Sequence, residues 1–199
     1  MSRIALLRTR SRADWRWATE GADTVFLHGD AVNLVAAPVS DGAEVVVCSS
    51  AWRRRHAQPP APPVAERSLM WLMDRLCAAT YRRVAGRGGR VAQSRQDDGE
   101  QWLIEITDAP VGALDRRETL EFVLAAASFG LNARVLFHRN GYNHLLGPEA
   151  RAWRQLVDYD LLPLTACFPA GVAIEWPVQR ISAVELEALT GAPVPRLPL

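Results

Sequence analysis

A ten-residue phrase occurs twice in this chain, and a repeat constrains the fold more tightly than any single motif. Val25-Phe26-Leu27-His28-Gly29-Asp30-Ala31-Val32-Asn33-Leu34 aligns without a gap on Val135-Leu136-Phe137-His138-Arg139-Asn140-Gly141-Tyr142-Asn143-His144. Val, His and Asn recur at the first, fourth and ninth places, and the second and third places are apolar in both copies. Each copy leads through a loop to another apolar stretch that reaches a cysteine, Cys48 in one case and Cys167 in the other. A self-similar chain points to a tandem of one structural unit. With 199 residues, two units of about 95 residues each are expected. Units that small bury a modest share of their surface alone, so the halves are expected to pack together and to oligomerise.

The order of elements gives the fold class. Residues 3–7 read as a short strand, 11–20 as one or two helical turns, and 24–27 as a strand closed by a Gly29-Asp30-Ala31 turn. The run EVVVC at 44–48 is β-branched with little alternation, as expected of a parallel strand buried on both faces. The segment QPPAPP at 58–63 is too proline-rich for regular structure. A helix is expected over 66–83, with Leu69, Leu72, Met73, Leu76 and Cys77 on one stripe and Ser68 as its N-cap. Residues 86–99, rich in Gly, Arg and Asp, read as a linker, which gives units over 1–90 and 101–199.

In the second half, strands are expected at 102–107, 133–138, 163–168 and 176–181. Helices are expected at 116–129, 150–159 and 183–190, with Gly130 as a C-terminal stop. Strand alternating with helix predicts an α/β fold: two tandem units, each a small, mainly parallel sheet flanked by helices.

Charge narrows the function classes a little. Residues 1–100 hold 15 Arg against 11 acidic residues (+4), and residues 101–199 hold 8 against 11 (−3). Arg53-Arg54-Arg55 and the string Arg82, Arg83, Arg87, Arg90 and Arg95 could attract an acidic partner or RNA. RNA recognition, however, wants aromatics interleaved with the basic patch, and here a proline loop follows. Direct nucleic-acid binding is therefore not expected. Three cysteines without a CxxC give no disulfide framework, and four scattered His give no metal-ligand spacing. GRGG at 86–89 lacks the strand-turn-helix context of a phosphate loop. No apolar run approaches the roughly 20 residues of a membrane span, and no signal pattern opens the chain. A cytoplasmic, reduced setting without a membrane is expected.

In open parallel sheets, functional groups gather at the carboxyl ends of strands. Cys48 sits at such an end, and the neighbouring Arg53, Arg54 and Arg55 could lower its pKa toward a reactive thiolate. Ser49 and Ser50 leave room for a bound sulfur atom or a partner's tail. The competing reading makes Cys48 a small apolar residue that ends a buried strand. Cys167 is the secondary candidate; Phe168-Pro169 gives it a bulkier, stiffer setting without a basic cluster, which favours a structural role. Cys77 belongs to the apolar stripe of its helix. His28 and His138 stand at the strand-to-turn junctions, where they could orient a thiol or satisfy loop carbonyls.

These motifs resemble a known family. Asp108-Ala109-Pro110-Val111-Gly112, Arg117-Glu118-Thr119-Leu120-Glu121 and Leu124-Ala125-Ala126-Ala127-Ser128 are similar to the opening loop and first helix of the DsrF/TusC branch of the DsrE/DsrF-like family. Val135-Leu136-Phe137, Asn140-Gly141 and Leu145-Leu146 resemble its second strand and the following turn, and Tyr159-Asp160-Leu161 with Ala166-Cys167 the approach to its cysteine. The first half is similar to the DsrE/TusD branch through 25–32, through Val46-Val47-Cys48-Ser49-Ser50-Ala51-Trp52-Arg53-Arg54, and through 68–73.

The resemblance implies a sulfurtransferase-like sulfur relay. Cys48 would accept a persulfide sulfur and pass it on, in tRNA thiolation or sulfur oxidation, with Arg53, Arg54 and His28 in support. It implies no cofactor and no metal, sulfur-donor and sulfur-acceptor proteins as partners, and a homo- or hetero-oligomer. The first half departs from the pattern: about 16 residues separate its first two strands, too few for the family's long helix, and the proline loop replaces the usual segment after the cysteine. A DsrH/TusB-like third component is absent from this chain. The alternative is a non-catalytic assembly or binding module that keeps the fold without the relay, the better reading if Cys48 is buried.

Overall fold

Strands with no polar face need cover from both sides, and the first unit is built to supply it. The computed structural model describes residues 4–8, 10, 12–20, 22–36, 42–78, 81–85, 91–95 and 101–199. The chain divides into two compact units, 1–98 and 99–197. In the first, β1 (Ile4–Leu7), β2 (Thr24–Leu27), β3 (Glu44–Cys48) and β4 (Ala65–Arg67) form a parallel sheet in the order β1-β2-β3-β4. Every residue of β1 and β2 is buried, and only Glu44 of β3 is exposed.

The connections are α1 (Arg12–Thr19), a 3-10 segment (Gly29–Ala36) and α2 (Ser49–Arg53). α3 (Leu69–Ala78) buries Leu72, Met73 and Leu76, and its Trp71 stacks on Phe26 with centroids 6.1 Å apart. Leu6, Phe26 and Val46 share a register level, so α3 covers that face. Burying a side chain such as Phe26 contributes about 2–3 kcal/mol.

The helix expected over 66–83 is shorter than its apolar stripe suggested. Glu66 and Arg67 pair with Val47 and Cys48 as β4, while residues 81–85 form β5 (Tyr81–Ala85), antiparallel to β6 (Val91–Arg95). Ser68 is the N-terminal cap, its Oγ accepting the Trp71 N–H at 3.2 Å. The linker expected over 86–99 contains β6; residues 86–90 and 96–99 lie outside the described residues.

In the second unit, β7 (Trp102–Ile106), β8 (Ala133–Phe137), β9 (Leu164–Ala166), β10 (Gln179–Arg180) and β11 (Arg196–Pro198) form a sheet in the order β10-β9-β8-β7-β11. The first four strands are parallel. β11 joins through Leu103 N–H to Pro195 O and Leu199 N–H to Glu105 O, bonds that climb both strands together as in a parallel ladder. Its prolines argue against a strand in the sequence, and an edge position tolerates them. Pro163 and Pro177 likewise bound β9 and β10, which are shorter than expected.

α4 (Gly112–Ser128) begins before the expected 116 because the Asp115 carboxylate accepts the Val111 N–H at 2.9 Å. It ends as expected at Gly130 (φ +74), where Leu131 N–H reaches Ala126 O at 3.0 Å. The expected 150–159 helix divides into a 3-10 segment (Pro148–Trp153) and α5 (Arg154–Asp158). α6 (Ala183–Gly191), opened by a Ser182–Glu185 capping box, lays Leu186 and Leu189 on Leu103, Leu136 and Ile181. Trp153 packs edge-on against Phe137, whose side chain points to the opposite face from Leu136.

The repeated phrase has one local geometry in both units. His28 N–H bonds Leu7 O at 2.8 Å, and His138 N–H bonds Ile106 O at 3.1 Å. The next residues, Gly29 (φ +60) and Arg139 (φ +53), are both left-handed. Ala31 N–H then returns to His28 O and Gly141 N–H to His138 O, at 3.3 and 2.9 Å. Finally, the Asn33 and Asn143 amides donate to the carbonyls of Asp30 and Asn140, at 3.1 and 2.8 Å.

Two substitutions separate the demands of this corner. Arg139→Gly relieves a left-handed conformation that costs a side chain roughly 1 kcal/mol and should raise the second unit's unfolding midpoint slightly. Gly141→Ala would drive a methyl into the Ile106 carbonyl and should destabilise by about 2 kcal/mol or more, read by chemical denaturation.

Candidate functional site

Valine-rich β3 carries Cys48 to the carboxyl edge of the first sheet, where Ser49 and Ser50 begin α2 at once. Cys48 is the residue before the first helical turn, and its side chain is 0% exposed. The Cys48 Sγ lies 3.3 Å from Ser50 Oγ, within hydrogen-bond range for sulfur. Trp52 and Ala51 of α2 are buried as well, and Trp52 Nε1 donates to Gln58 O at 2.7 Å. That bond anchors the start of the proline segment, which has no regular structure.

The three arginines separate. Arg53, its side chain 75% exposed, forms an ion pair with Glu66 of β4 at 2.8 Å. Arg55 places Nε and Nη2 on Asp30 Oδ1 at 3.2 and 3.1 Å and donates through Nη1 to Ala51 O. Arg54 ends α2 and contributes positive charge near His28. His28 is fully buried, and its pKa lies well below the ordinary 6.5, first from burial and then from the charges of Arg8, Arg55 and Arg54. A neutral imidazole so resistant to protonation is a weak base and a poor means of removing a thiol proton.

Cys167 and Cys77 are half-buried, unlike Cys48. Cys167 follows β9 and packs against the Leu103, Leu136 and Ile181 cluster beneath α6. On the same face lies Glu105, a carboxylate 3% exposed in the middle of β7. His138 Nε2 lies 3.6 Å and Arg196 Nη1 3.8 Å from Glu105 Oε1. The sequence reading passed over Glu105 and Arg196. The available signal was the single acid in WLIEI, which breaks an apolar strand. Arg55, rather than Arg53, is the arginine held toward His28 through Asp30.

A cleft of about 350 Å³ opens at the carboxyl edge of the second sheet, between residues 145–151 and 173–176. Leu145, Trp176, Arg151 and Glu175 are among its walls, so it offers apolar surface and both signs of charge. Among the described residues, no group of three His, Cys, Asp or Glu side chains is placed to hold a metal ion. No helix among them is long and apolar enough to cross a membrane. No family model, no curated protein and no solved structure matches this chain.

The His28 environment sets a pH dependence. Below about pH 6.5 the unfolded chain binds a proton at residue 28 that the folded chain refuses, so stability is lost as pH falls through that range. Denaturation midpoints should drop between pH 7 and pH 5, and His28→Gln should flatten that slope.

Proposed function

We propose that this chain is a DsrE-like assembly or binding module in which Cys48 is a structural residue. One observation carries the reading: the Cys48 thiol is fully buried against Ser50. Sulfur transfer needs a thiolate that a second sulfur atom can approach in line, so access limits it as much as pKa does. Beside the buried thiol, the weakly basic His28 supplies no proton acceptor. The cleft of about 350 Å³ in the second unit is of a size that binds small molecules or one partner side chain. As a module the chain would work in the cytoplasm within a homo- or hetero-oligomer, beside the sulfur-donor and sulfur-acceptor proteins that its resemblance implies.

The relay through Cys48 is the second reading, favoured by the positive charge of Arg8, Arg54 and Arg55 at that sheet edge. In it the Cys48 thiolate attacks the outer sulfur of a donor persulfide, displaces the donor thiolate, and later yields that sulfur to an acceptor thiol. α2 would have to lift to admit the donor.

One experiment separates the two. Incubation with a small persulfide donor, followed by intact-mass and peptide analysis, should place no added sulfur on Cys48. Iodoacetamide should label Cys48 roughly tenfold more slowly than Cys167 at neutral pH. A one-sulfur gain that disappears in Cys48→Ser, with the fold intact, would establish the relay instead. Light scattering should give a mass above the 22.0 kDa of one chain.

A further inference from the structure

The second unit holds a polar set that the proposed function does not use. Glu105, Leu136 and Thr165 lie abreast on β7, β8 and β9, so their side chains share the face beneath α6. Glu105 Oε1, His138 Nε2 and Thr165 Oγ1 are each buried without a hydrogen-bond partner. Buried polar atoms are ordinarily hydrogen-bonded, so these atoms, with Arg134 Nε on the same face, ask for a chemical reason.

Cys167 stands beside them. Phe137 pairs with Ala166, and Cys167 N–H bonds Phe137 O at 2.8 Å. The next step along each strand therefore brings His138 and Cys167 side by side, with backbones about 4.8 Å apart. Both side chains are on the α6 face, since His138 reaches Glu105 and Cys167 touches the Leu136 cluster. The half-buried thiol thus has an imidazole next to it, a carboxylate behind that imidazole, and a hydroxyl two residues earlier on its own strand.

We propose that Cys167 is a thiol–disulfide exchange site for small uncharged disulfides, with His138 as proton acceptor and Glu105 as the residue that positions it. The Cys167 S–H proton passes to His138, and the thiolate attacks one sulfur of the disulfide. The new S–S bond forms as the old one breaks, and the leaving thiolate takes the proton back from His138. Cys167 is oxidised and the leaving thiol reduced, so no further reagent is needed. The imidazolium formed in passing lies 3.6 Å from Glu105 Oε1. Leu186, Leu189 and Val194 crowd the site with apolar surface, which suits an uncharged disulfide. This goes beyond the binding-module reading and is independent of Cys48.

Among the described residues, the charged groups on this face are Glu105 from β7, Arg134 and His138 from β8 and its end, and Arg196 from β11, while Arg180 of β10 stacks on the Phe168 ring next to Cys167. On α6, Glu185 is committed to the Ser182 cap and Glu187 is exposed. The test follows the reaction of the whole chain with 4,4′-dithiodipyridine, an uncharged disulfide whose product absorbs. One thiol should react fast at pH 7, remain in Cys48→Ser and disappear in Cys167→Ser. His138→Gln should slow it about tenfold at pH 7 and less than twofold at pH 9.5, where hydroxide removes the proton. Glu105→Gln should give a smaller loss with the same pH pattern. Equal slowing at both pH values, or a fast phase that survives Cys167→Ser, overturns the proposal. If His138→Gln fails to fold, the wild-type profile decides. An ordinary thiol loses roughly twenty-five-fold in rate from pH 9 to pH 7; the same loss at Cys167 also overturns it.

Discussion

Both units turn on a backbone hydrogen bond at the end of their second strand. The N–H of His28 or His138 closes on the last carbonyl of the strand before it, and the chain then leaves the sheet through a left-handed residue. A corner of this kind fixes where the carboxyl edge lies, because it ends two neighbouring strands at the same height. It also demands close approach: Gly141 runs so near the Ile106 carbonyl that no side chain fits. In the second unit Arg116 secures the corner from α4, one guanidinium nitrogen donating to the carbonyls of Asn143, His144 and Leu146. In the first, Arg55 holds Asp30 from the segment after α2.

On this shared corner the two units place one residue type in opposite electrostatic settings. His28 is enclosed with Arg8, Arg54 and Arg55 in its surroundings, and it stays neutral where an ordinary histidine would begin to charge. His138 instead faces the buried carboxylate of Glu105, itself near Arg196. A carboxylate on a central strand is costly to bury without compensation, and that compensation comes from β8 and β11 together. The last strand therefore does more than close the sheet edge: it brings a cation to the one acid in β7.

What the sequence makes legible follows from how strongly each segment is patterned. β2, β3 and β8 are runs of apolar and β-branched residues, and they lie where the periodicity sets them. β4 and β11 are three residues each, the first just after the proline segment and the second preceded by Pro195 and ending in Pro198, so pattern and propensity both hide them. The apolar stripe of α3 is real, but its length depends on Cys48 and Val47 recruiting 66–67 as a neighbouring strand, a tertiary effect. The cysteines show the same limit. Their strand-end positions are plain in the sequence, whereas their exposure depends on what covers them.

That cover is decided by the two residues that follow each thiol. Ser49 and Ser50 enter a helix at once, so α2 sits directly on the strand end and Ser50 reaches back to Cys48 Sγ. After Cys167 the chain reads Phe168-Pro169. A residue before proline is steered away from helical dihedrals, so Phe168 cannot start the equivalent turn. Residues 167–178 accordingly hold no helix, and Cys167 is left half-buried. The same stiffness leaves Cys167 without a helix built directly on its strand end. At equivalent strand ends, one cysteine is thus fully buried beneath a helix that begins at once, and the other is half-buried where proline prevents that helix.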